Sequence, residues 1–208
     1  MARRPLPPQA IFDPITAPAF IPGPELSEWA KATFIRPGAP LMNRDHDHLA
    51  DAEIGFLWTS VMATRHMNAI AGQAEIPRFQ GSKWSKARQE QQMEAWFGLI
   101  PDFVITIDAR YAAQCDDVTF CALIEHELYH CGQEIDQYGA PKFSRSTGLP
   151  VYAIKGHDVE EFVGVVRRYG VGAAAGQTLA LVEAAQRGPE IGKAKATAVC
   201  GSCRALIV

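Results

Sequence analysis

No stretch of the 208 residues is apolar for long enough to cross a bilayer. The two most apolar windows, 54–63 and 171–182, are short and are interrupted by Thr, Ser, Gly or Gln. Charge of one sign is also scarce. A net charge of −3 gives no general attraction to nucleic acid or to an anionic membrane, although a local basic patch is still compatible with it. Cysteine is sparse and odd in number, five in all, without the spacing of a disulfide framework, which suits a reducing cytoplasm. The N-terminus carries Arg3 and Arg4 but no continuous apolar core of an export signal, so a soluble, cytoplasmic protein without a membrane partner is expected. No internal repeat is present. The length suits one well-cored domain, or one domain with appendages.

What is there divides into three parts. Residues 1–24 form a Pro-rich arm, extended and weakly ordered unless it packs along the body. Residues 25–187 carry the folded domain. Residues 188–208 are a tail with a C-x-x-C at Cys200 and Cys203. Within the domain, 25–34 is expected as a short helix, stopped by Pro37-Gly38. The recurrence of Leu49, Ile54, Leu57 or Trp58 and Val61 suggests a helix over 49–62. Residues 66–76 read as a strand, and the polar, locally basic 78–94 as a solvated loop running into a helix. In 101–108 Phe103, Ile105 and Ile107 share one face of a β-branched strand. Asp116 and Asp117 offer N-caps to a helix reaching about residue 137. A loop over 139–150, a short strand at 151–154, a helix over 156–169 and a last helix at 177–186 complete an α+β pattern.

The chemistry is concentrated at His126-Glu127-Leu128-Tyr129-His130. Four residues of α-helix return a side chain to nearly the same face, so both imidazoles can bind one metal ion. Neutral imidazole is a zinc ligand, and in the H-E-x-x-H arrangement the intervening carboxylate is the general base toward a metal-activated water. Phe120, Ile124, Leu128, Cys131 and Ile135 fall on one stripe of this helix, whereas Leu123, His126, Glu127, His130 and Glu134 fall on another. A metal face separate from a packing face is what a site needs.

A catalytic zinc takes three protein ligands and an open position. Asp136 stands six residues after His130, but the turn such a ligand requires wants Gly three after the second His, and Gln133 is there. Glu160 or Glu161 could serve on the later helix, as in gluzincins. His157 follows Gly156, which would free the backbone for close approach, and shares a face with Glu161. We take His157 as the ligand, with Glu160 and Glu161 as outer-shell or reserve candidates. Tyr129, Tyr138 and Tyr152 are candidate oxyanion donors, and the run Asp45-His46-Asp47-His48 reads as a solvated cap.

His126-Glu127-x-x-His130 with Gly156-His157 and Glu161-Phe162 resembles the SprT-like and Spartan-type metallopeptidases. More closely, 105–108, 126–131 and 156–162 look like the group described as putative phage metallopeptidases, a resemblance spanning about 45–170. It implies a zincin-like domain, with a small mixed β-sheet packed on the active-site helix and further helices. It also implies one catalytic Zn2+ held by His126, His130 and His157, Glu127 as catalytic base, and a protein or peptide substrate hydrolysed as by an endopeptidase. The setting would be the bacterial host cytoplasm if the gene is phage-borne. The chain lacks the Gly-Pro that follows the second-motif His in Spartan-type enzymes, and it has one extra residue before Phe162. The strand ending at Asp108, if at a sheet edge, would bind substrate backbone by β-augmentation.

Two rival readings use Arg78, Lys83, Lys86 and Arg88 with the interleaved Phe79 and Trp84 as a surface for single-stranded nucleic acid. One is a DNA-associated SprT-like protease acting on DNA-bound proteins. The other is a non-catalytic protein with structural zinc, which would need a fourth ligand.

Overall fold

A computed structural model describes residues 3–65, 68–159, 177–194 and 199–201. Its sheet has the order β1-β2-β5-β4-β3. The strands are β1 (Phe20–Pro22), β2 (Ile54–Thr59), β3 (Thr64–Arg65), β4 (Asn68–Glu75) and β5 (Phe103–Asp108). β2 and β5 run parallel, and β4 is antiparallel to β5. A separate two-stranded sheet joins β6 (Cys131–Gln133) to β7 (Tyr152–Ile154), and β8 (Val199–Cys200) pairs in parallel with β4. The helices that matter for the site are α1 (Pro24–Ala30), α2 (Lys83–Phe97), α3 (Ala109–Gln114) and α4 (Asp117–His130). The molecule is thus a mixed α+β fold with a small mixed sheet. Among the described residues no helix is long and apolar enough to cross a membrane.

The core lies on one face of the sheet. Ile54, Phe56 and Trp58 of β2 stand in register with Phe103, Ile105 and Ile107 of β5, and all six are buried. Against them pack Leu26 and Trp29 of α1, Phe34, and Phe120, Ile124 and Leu128 of α4. The expected apolar stripe of α4 is therefore the packing face. Phe120 lies between Trp29 and Trp58, with ring centroids 5.7 and 6.3 Å away, and the Arg4 guanidinium caps it at 4.7 Å. On the opposite face α2 approaches so closely that a Cβ at Gly55 would come within 2.8 Å of the Phe97 ring.

Three expectations are corrected. Residues 49–62 are not a helix: β2 occupies Ile54–Thr59, and all six of its residues are buried. A central strand covered on both faces shows a continuous apolar run instead of alternation, and that run mimics helical recurrence. Secondly, α4 stops at His130 and not near 137, because Cys131–Gln133 leaves the helix to pair with β7. Thirdly, β5 is no edge strand; with β2 on one side and β4 on the other, it has no free edge for a substrate. The helix expected over 156–169 lies largely outside the described residues, as does Cys203.

The Pro-rich arm packs along the body. Arg4 donates to Ala112 O and Cys115 O at the end of α3 and forms an ion pair with Asp117, the first residue of α4. Ile11 is buried, and β1 adds to the sheet through β2.

Candidate metal centre

Three elements build the site. α4 begins under an N-cap, with Asp116 Oδ1 accepting from Thr119 N at 2.7 Å. It delivers His126, Glu127 and His130 in its last turn and a half. β7 runs back antiparallel to β6 and leads at once into Gly156-His157. His130 Nε2 lies 3.2 Å from His126 Nε2, and His157 Nε2 lies 3.3 Å from the same atom. The three rings form a triangle with centroids 4.9–5.1 Å apart. His130 is buried, His126 half-buried and His157 exposed, so the group opens to solvent on one side.

This donor set fits a divalent metal. Two nitrogens each about 2.0–2.1 Å from a tetrahedral ion stand about 3.3 Å apart, which is the spacing of the two nitrogen pairs that share His126. The proton positions agree: His130 Nδ1 donates to Lys155 O at 2.6 Å, leaving the Nε2 lone pair directed at the cluster. His130 O in turn accepts from Lys155 N at 2.9 Å. The second histidine is thereby tied twice to the residue two places before the third. Close packing of β6 on β7 allows this. A Cβ at Gly132 would stand 3.1 Å from Lys155 Cβ and 3.2 Å from Ala153 O, whereas one at Gly156 would meet nothing within 4 Å. The glycine that permits close approach is therefore Gly132, not Gly156 as the sequence suggested.

Glu127 is fully buried, its carboxylate over Gly72 of β4. Asp136 is not brought to the cluster; its Oδ1 accepts from Tyr138 N and Ala140 N and shapes the turn after β6. Glu134 pairs with Lys142, and Asp158 with Lys155. Glu160 and Glu161 lie outside the described residues. Among the described residues no fourth His, Cys, Asp or Glu joins the three histidines.

The Asp-His-Asp-His run forms a 3-10 turn (Arg44–Leu49) that braces α4. Asn43 Nδ2 donates to Glu125 Oε1 and to Tyr129 OH, and Tyr129 donates to Asp45 Oδ2. His48 Nε2 donates to Cys131 O at 2.7 Å. His46 has no exposed surface and meets the Tyr129 ring edge-on; burial pushes its pKa down to about 4. Composition gave no signal for this bracing role, since a polar run reads first as a solvated cap.

A cleft of about 1050 Å³ opens beside His157, lined among others by Arg78, Phe79, Trp96, Tyr152 and Lys155. Tyr152 packs on Phe103, and burial, with Asp102, Asp51 and Glu53 nearby, pushes its phenol up to about 12, so it remains a proton donor at neutral pH. Tyr129 is engaged with Asp45 and Tyr138 is 85% exposed, which leaves Tyr152 as the tyrosine of the three that lines the cleft.

Searches of curated proteins and of solved structures each found no match. The model of one family, described as "Putative phage metallopeptidase", matches residues 27–186, a span that begins in α1 and includes α4 and His157. Coverage of well over half the chain, with the three-histidine cluster inside it, settles the family: this chain belongs to the putative phage metallopeptidases, whose name implies a bound metal and a protein or peptide substrate.

Proposed function

We propose that the protein is a zinc-dependent endopeptidase with a zincin-like site, in which His126, His130 and His157 hold the metal and Glu127 is the general base. The observation that carries this reading is the cluster of His126, His130 and His157, with His126 Nε2 at tetrahedral spacing from each of the other two, and a buried carboxylate on the same helix turn. When bound, zinc supplies Lewis acidity, lowering the pKa of a coordinated water from about 15.7 towards 7 and polarising a carbonyl. Glu127 accepts the proton as water attacks the peptide carbonyl, and then delivers it to the leaving amine nitrogen. Lys155 O holds the His130 ring in register through Nδ1. Tyr152 forms part of the wall of the cleft where the substrate lies, with its phenolic oxygen buried. Free thiols at Cys115, Cys121 and Cys131 support a reducing setting, the host cytoplasm for a phage-borne gene.

Hydrolysis of an unfolded protein by the zinc-loaded chain tests the reading. Glu127→Gln is expected to lower the rate by about 10²- to 10⁴-fold while zinc content stays at one per chain. Unchanged hydrolysis, or no stoichiometric zinc, would overturn it. A DNA-associated variant of the same activity is favoured by one observation: Trp84 is 84% exposed on α2 beside exposed Lys83, Lys86 and Arg88, a stacking and charge pattern suited to single strands. Binding of single-stranded DNA that falls steeply with salt and is lost in Trp84→Ala distinguishes it.

A further inference from the structure

We infer that Gly72 is a positioning residue for the Glu127 carboxylate: its missing side chain is the space in which that carboxylate rests. The catalytic part of this inference builds on the proposed peptidase reading, and the structural part stands without it.

A Cβ built at Gly72 would lie 2.8 Å from Glu127 Oε1, 3.1 Å from Glu127 Cγ and 3.1 Å from Leu123 Cδ1. Two successive turns of α4 therefore sit down on one residue of β4. The backbone itself does not ask for glycine, because Gly72 is extended strand and has no left-handed φ. The demand is spatial. Nor can the strand retreat to make room. On one side Gly72 stands in register with Ile107 of β5; on the other its carbonyl accepts from Gly201 N at 2.8 Å beside β8. The group able to give way is the flexible end of Glu127. That side chain is fully buried, so a methyl at Gly72 would displace the carboxylate within a closed space and not simply release it to solvent. A misplacement of about 1 Å costs a reaction on the order of 10²-fold.

Two measurements on the full chain test this. In the zinc-loaded protein, Gly72→Ala is expected to lower kcat by about 10- to 100-fold with KM and zinc stoichiometry little changed. Independently of any activity, thermal unfolding is compared for wild type, Gly72→Ala, Glu127→Ala and the double variant. Gly72→Ala is expected to lower the midpoint by about 2–6 °C when Glu127 is present and by less than half as much in the Glu127→Ala background. Equal losses in both backgrounds would assign the effect to Leu123 and general packing and overturn the inference, as would a kcat within twofold of wild type. Should Gly72→Ala alone fail to fold, a folded double variant supports the coupling and an unfolded one overturns it. A wild type without Glu127-dependent hydrolysis would sink the peptidase reading, while the unfolding comparison would still decide the role of Gly72.

Discussion

β5 and β4 are neighbours in one sheet and meet the same helix with opposite side chains. β5 offers Phe103, Ile105 and Ile107, fully buried and backed by Phe120, Ile124 and Leu128 of α4. β4 offers Gly72 and Ala74, each in register with a large residue of β5. Large side chains hold the packing stripe of α4, from Phe120 to Leu128; small ones leave room for the stripe that carries Leu123 and Glu127. One helix thus divides its labour between its faces. Apolar burial supplies the stability that a buried carboxylate and two histidines do not, since charged or polar groups cost free energy when removed from water.

The strongest way to break this contrast is Phe120→Ala. Removing a fully buried ring that bridges Trp29 and Trp58 is expected to cost about 3–5 kcal/mol in chemical denaturation, with zinc affinity of the folded chain unchanged. A parallel loss of zinc affinity would mean that the two faces are not separable.

Next in size is a pH effect on the brace at the C-terminal end of α4. His46 has its pKa held near 4 when folded, below the ordinary value of 6.5. The unfolded chain therefore binds more protons between these values. The stabilisation is fully present above about pH 6.5 and is lost as pH falls towards 4, about 3 kcal/mol in all. Denaturation midpoints measured with a chelator from pH 7 to pH 4 should fall more steeply for wild type than for His46→Phe. Asp45, Asp47 and His48 also act on this ring, so the difference between the two chains is the informative quantity. Parallel profiles would remove His46 from the account.

The smallest effect sharpens the contrast at the helix start. Asp116→Ala removes the cap on Thr119 N and should cost about 1 kcal/mol, leaving proteolysis unaltered because the site lies at the other end of α4. An activity loss larger than the stability loss would show that the start of the helix sets the geometry of its end.

How far the sequence revealed this arrangement depended on how local each cause is. His126 and His130 were legible because helical spacing alone puts them on one face, and Phe103–Asp108 because β-branched residues dominate it and Phe103, Ile105 and Ile107 share one face. Ile54–Thr59 was illegible as a strand, since burial on both faces removes the alternation. The end of α4 was hidden for a different reason. Apolar recurrence continues to Ile135, and only the pairing of Cys131–Gln133 with residues some twenty positions later ends the helix. Gly72 carried no signal at all, because what it makes room for arrives from 55 residues further on.

The double tie between His130 and Lys155 makes the β6–β7 hairpin a thermodynamic partner of the metal. A ligand that binds the assembled histidines stabilises whatever assembles them, by linkage. Loading the site should therefore slow hydrogen exchange at the Lys155 amide, which bonds to His130 O, far more than at amides of β2. That amide is a built-in reporter of occupancy, readable without any substrate.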